Sequence, residues 1–146
     1  MKPFTFSLEK VLNLRKYRED EAKAELGRAI SVLAEIEQRI RAFGQERARA
    51  ASEQFSAGNS IVQIQQYTFY LLRLDNTVEQ LQKEAVLAEL KVEEARGAFL
   101  EASRERKVLD KLKEKRQKEY RKEMFSADTK ILDDISGGRE ARSQPA

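Results

Sequence analysis

The residues here with the types and spacing for chemistry are carboxylates and cations. Glu93-Glu94 and Asp133-Asp134 are adjacent acidic pairs, the raw material of general acid/base catalysis or divalent-metal binding. That chemistry needs a pocket able to shift a carboxyl pKa. Both pairs instead fall in stretches whose periodicity reads as the outer side of a long helix, where they are solvated. The chain has neither Cys nor His, which removes thiol nucleophiles, imidazole bases, disulfides and most zinc or haem ligand sets. Gly137-Gly138 lacks the Lys-Ser/Thr that must follow in a phosphate-binding loop. No catalytic residue, cofactor site or metal site is expected: the sequence reads as that of a binding protein, not an enzyme.

The cations carry more information. From Arg104 to Lys122 there are ten Lys/Arg against four acids, in a chain whose net charge is only +3. A basic helix segment can neutralise phosphates or meet an acidic protein surface. Glu105, Asp110, Glu114 and Glu119 interrupt the run, and no aromatic residues alternate with it as stacking platforms for bases, which favours a protein partner over nucleic acid.

The elements that hold these residues follow from periodicity. Ala22, Leu26, Ala29, Leu33, Ile36, Ile40 and Phe43 recur at alternating spacings of four and three, extending back weakly through Leu12 and Leu8. A second series is unbroken from Ile64 through Tyr67, Leu71, Leu74, Val78, Leu81, Ala85, Ala88, Val92, Ala95 and Phe99 to Ala102. A mean repeat of 3.5 is the seam of a left-handed coiled coil. No proline lies between Pro3 and Pro145, so nothing interrupts long helices.

Between the two series, Ser56-Ala57-Gly58-Asn59-Ser60 marks a turn, and Ser60 with Gln63 fits a capping box. Ser7 is placed to cap the first helix. The expected fold is all-α: one antiparallel two-helix coiled-coil hairpin over residues 1–135, with helices at about 7–54 and 61–134, a turn at 55–60 and a disordered tail at 136–146. If the chain reverses near residue 57, position n faces roughly 115 minus n. Leu12 then meets the region of Ser103, and everything beyond about 108 overhangs, including Leu109, Leu112 and Tyr120. Aromatic residues crowd the turn, and Phe69 and Tyr70 point about 100° apart, so at least one is exposed as a candidate partner contact. The N-terminus lacks the apolar run of a signal peptide, and no segment approaches the ~18 apolar residues of a membrane span; a cytoplasmic location is expected.

The opening Phe4-Thr5-Phe6-Ser7-Leu8-Glu9-Lys10-Val11-Leu12-Asn13-Leu14-Arg15 resembles the N-terminal signature of the flagellar FliJ family, as do Gln66-Tyr67, Leu74-Asp75-Asn76-Thr77-Val78-Glu79-Gln80 and Lys130-Ile131-Leu132-Asp133-Asp134-Ile135 in the same order. The resemblance implies a component of the bacterial flagellar type III export apparatus, peripheral to the inner membrane. Its implied partners are the hexameric export ATPase, which it enters as a central stalk and stimulates, the cytoplasmic domain of the export-gate membrane protein, and the export chaperones it escorts. Carried over by position, the gate contact falls on Tyr70, Leu74, Thr77 and Leu81 with Ile40 and Phe43 opposite. The ATPase contact falls on the overhang: Arg104, Lys107, Lys111, Lys113, Lys115, Arg116 and Tyr120. A virulence-type secretion homologue, a dimerising scaffold and a basic nucleic-acid-binding coil are the alternatives.

Overall fold

The computed structural model describes residues 2–143, with 139–143 by their backbone only. Two helices make up the fold, α1 (Glu9–Gln54) and α2 (Ile61–Ser143), paired antiparallel as an all-α helical hairpin. The reversal between them is built from side chains the sequence places there. Gly58 takes φ 93°, a left-handed conformation that costs glycine nothing and other residues strain. The Asn59 side-chain amide donates to the carbonyls of Glu53 (2.8 Å) and Gln54 (3.0 Å), two of the acceptors that a helix C-terminus leaves unpaired. The Ser60–Gln63 capping box forms in both directions, Ser60 N–H to Gln63 Oε1 at 2.7 Å and Gln63 N–H to Ser60 Oγ at 3.2 Å.

Contacts divide the chain into two units. In the first, Glu19–Glu101, every seam position read from the sequence is buried or half-buried. Leu74, Leu81, Ala85, Ala88 and Val92 are the most enclosed, while Leu72, Val86, Leu87 and Leu90, one or two places off the seam, are exposed. Gln54 is also buried in this unit and donates to Thr68 Oγ1 (2.8 Å) and the Ile64 carbonyl (3.2 Å), so its amide does not go unpaired.

The second unit joins Met1–Arg18 to Ala102–Ala146. Its core is Phe6, Leu12 and Leu109, with Phe4, Leu8 and Leu112 packed around them. Leu12 is fully enclosed at 0% exposure and Leu109 nearly so at 6%. Ser7 does not cap α1. Its hydroxyl accepts from Arg116 at 3.0 Å, and α1 begins at Glu9.

The axial register differs from the expected one. Arg47 pairs with Asp75, Gln54 with Thr68, Glu9 with Lys113, and the Tyr120 hydroxyl with the Lys2 carbonyl, so position n faces about 122 minus n. The shift from 115 equals seven residues, one heptad, which preserves the phase of the seam while moving every partner. Leu12 therefore meets Leu109 instead of the region of Ser103, and the N-terminal segment covers α2 as far as Tyr120, so the overhang begins near 121 and not near 108. α2 also runs on to Ser143, past the expected end at 134. Two adjacent glycines weaken a helix by about 1 kcal/mol each without forbidding it. Of the tail expected over 136–146, residues 144–146 lie outside the described residues.

Candidate functional site

Two surfaces concentrate the expected binding residues. Near the turn, α1 and α2 are tied by polar groups. Glu46 accepts from Arg49 (2.5 Å) and from the Tyr70 hydroxyl (2.7 Å); these two donors, Arg49 foremost, hold its carboxyl down at about 2. The same bond pushes the Tyr70 phenol up. Arg47 grips Asp75 through two nitrogens, at 2.5 and 3.2 Å, and keeps that carboxyl below its ordinary range. The Arg73 guanidinium lies 5.8 Å from the centre of the Tyr70 ring, within cation–π range. Beside them a shallow groove of about 630 Å³ is lined by Gln63, Gln66, Tyr67, Phe69, Tyr70 and Arg73.

This geometry corrects the expected gate patch. Leu74 and Leu81, at 5% and 3% exposure, pack into the seam, and Ile40 and Phe43 are half-buried in the same seam. A partner cannot touch the two leucines without opening the helix pair. Tyr70 and Thr77 lie at the edge, and the Thr77 hydroxyl donates to the Arg73 carbonyl at 2.9 Å. The side chains that do face outward are Phe69, at 66% exposure, Leu72 and Arg73. Phe69 fulfils the expectation that one of the two adjacent aromatics is exposed. The ion pairs of Glu46, Arg49 and Asp75 were not anticipated, because charges that meet across a seam can be named only once the axial register is known.

In the second unit the expected ATPase-facing residues separate into two sets. Lys113 donates to Glu9 (3.1 Å to Oε1), Arg116 bonds Ser7 and lies 5.8 Å over the Phe6 ring, and the Tyr120 ring meets Phe4 at 5.6 Å. These three hold the N-terminal segment on α2. Lys107, Lys111, Lys115, Lys118 and Lys122 recur at spacings of four and three and are all exposed, as is Arg104, which places them on the opposite face of the helix. The flanking acid Asp110 is paired with Arg106 at 2.5 Å. The result is a cationic face more than three turns long with no carboxylate in its line.

Comparison with known proteins bears on what such a chain belongs to. The family described as "Flagellar FliJ protein" matches residues 4–145. This chain belongs to the FliJ family. A curated relative, the flagellar FliJ protein of Bacillus subtilis (strain 168), is 22% identical over 136 residues, covering 91% of this chain and 92% of the relative. No solved structure gives a significant match. As a FliJ-family member the chain is a component of the flagellar export apparatus, and the family is one of non-catalytic proteins. Among the described residues, no helix is long and apolar enough to cross a membrane.

Proposed function

We propose that this component of the flagellar export apparatus binds the hexameric export ATPase as a central stalk and stimulates it, contacts the cytoplasmic domain of the export-gate membrane protein, and escorts export chaperones, acting peripherally at the inner membrane. The observation that carries the ATPase contact is the uninterrupted lysine face of α2 from Lys107 to Lys122, beside an N-terminal segment fastened by Lys113, Arg116 and Tyr120. A stiff helical stem inside a six-membered ring meets its subunits unequally. It can therefore favour different conformations in different subunits, and such differential binding shifts the ring toward its active state. At the other end, the gate contact falls on Phe69, Leu72 and Arg73, with Tyr70 and Thr77 at its edge. Exposed aromatic and arginine side chains are the usual anchors of protein interfaces.

The test is the ATP-hydrolysis rate of the cognate export ATPase with added protein. Lys107→Glu/Lys111→Glu/Lys115→Glu/Lys118→Glu is expected to abolish stimulation with α-helical circular dichroism unchanged, since none of these four lysines holds the N-terminal segment. Full stimulation by that variant would sink the assignment of this face.

A further inference from the structure

Beyond Tyr120, α2 carries an apolar stripe that no described part of the chain covers. Met124, Ala127, Ile131 and Ile135 recur at spacings of three and four and share one face, which Phe125 and Leu132 widen on one side. Phe125 is 75% exposed and Leu132 66%. The stripe continues the face that the N-terminal segment occupies up to Tyr120 and points away from the lysine face. Isolated apolar residues on a surface need no explanation, but a run of them on one helical face does.

We propose that this stripe docks a second copy of the same chain, the two α2 ends pairing antiparallel about a two-fold axis near Ala127. The order of the residues argues for it, because the stripe reads alike in both directions. With Ala127 on the axis, Met124 falls opposite Ile131 of the second copy, Phe125 opposite Leu132, and Ile135 beside the Tyr120–Phe4 pair. On the other flank Glu123 falls opposite Lys130. Each of these contacts occurs twice, as a two-fold interface requires.

The parallel arrangement has no such complementarity. It brings Glu123 toward Asp128 and Arg116 toward Arg121, and sets the two lysine faces and the two N-terminal segments side by side. Antiparallel pairing sends the basic stems to opposite ends. The interface spans about four helical turns, below the ~1,600 Å² of a standard stable complex, so the expected Kd is on the order of 10–100 µM. The lysine face stays open in the pair, and the inference does not rest on the proposed ATPase contact.

The chain has no cysteine of its own, so introduced thiols report pairing without background. Under mild oxidation Ala127→Cys is expected to give a disulfide-linked dimer. Ile135→Cys is not, since its counterpart lies about 22 Å away at 1.5 Å per residue. A mixture of Met124→Cys and Ile131→Cys is expected to give the mixed dimer.

Sedimentation of the unmodified full chain from about 5 to about 500 µM, a range bracketing that Kd, is expected to show its mass rising toward a dimer. Ile131→Asp should weaken the association at least tenfold. Glu123→Lys should weaken it too, and the double exchange Glu123→Lys/Lys130→Glu should restore it. A chain that stays monomeric throughout overturns the proposal and leaves the stripe to a different protein. Crosslinking of Ile135→Cys as readily as Ala127→Cys overturns the antiparallel register.

Discussion

Leu12→Ala is the substitution that most directly probes how the N-terminal segment is held. The side chain is fully buried against Phe6 and Leu109, and the change deletes three carbons. At about 0.8 kcal/mol per buried methylene the transfer loss alone is about 2.4 kcal/mol. A deep core would add a cavity penalty, reaching about 5 kcal/mol. A two-helix seam can close over the space, so the expected cost is about 2–3 kcal/mol, or about 30- to 150-fold in the equilibrium for local opening. Amide hydrogen exchange reads this segment by segment. Protection should fall by that factor in the first turns of α1 and across residues 105–112, and remain unchanged for the pairing around Arg47, Gln54 and Asp75. Leu14→Ala, whose side chain is about half exposed, should alter protection little. Equal effects from the two variants, or loss of protection centred on Ser103 with Leu109 unaffected, would refute the register and the core drawn from it.

Other expectations concern the turn, the polar ties and the helix interiors. Asn59→Ala removes both hydrogen bonds to the α1 carbonyls and should cost about 1–2 kcal/mol in thermal unfolding followed by circular dichroism, with Gly58→Ala costing a comparable amount through its left-handed φ. Glu46 has its folded pKa lowered from 4.5 to about 2. Its contribution to stability is complete above the unfolded value and is lost as pH falls through that window; urea midpoints measured from pH 5 to 2 should fall less steeply in Glu46→Gln than in the parent. Gly27, Gly44 and Gly97 are helical with open space where a Cβ would sit, so each change to Ala should stabilise by about 0.5–1 kcal/mol in the same melts. A loss at any of the three would reveal a close approach absent from the structure.

Much of the architecture was legible because a coiled-coil seam is written in residue types. Leu26, Leu33, Ile36, Leu74, Leu81 and Val92 were recognisable as seam from spacing alone, and each is buried or half-buried. The capping box was legible for a similar reason: Ser60 and Gln63 satisfy each other's backbone within one turn, with no distant residue involved. The candidate surfaces were only partly legible. Resemblance could carry Leu74 and Leu81 into a contact patch by position, but whether a side chain faces a partner or the other helix depends on its place in the heptad. Both occupy seam positions. Lys113 and Arg116 look equivalent to Lys111 and Lys115 in composition; their attachment to Glu9 and Ser7 depends on residues more than a hundred positions away.

The axial register shows why the remainder needed coordinates. A heptad pattern repeats, so sliding one helix past the other by seven residues restores the same apolar matches, and hydrophobic burial barely distinguishes the two placements. What distinguishes them is the side chains that break the repeat. Buried Gln54 needs Thr68 and the Ile64 carbonyl to avoid an unsatisfied amide, whose cost is about 1–3 kcal/mol. Asn59 must reach the last carbonyls of α1 for the turn to close where it does. These polar requirements fix the offset near 122, and only at that offset do Phe4, Phe6 and Leu8 reach Leu109 and Leu112 instead of extending into water. The turn thus determines which part of α2 is sheathed and which is left to meet other proteins: moving it by one heptad would uncover Leu109 and Leu112 and release the N-terminal segment from the lysine-bearing stem.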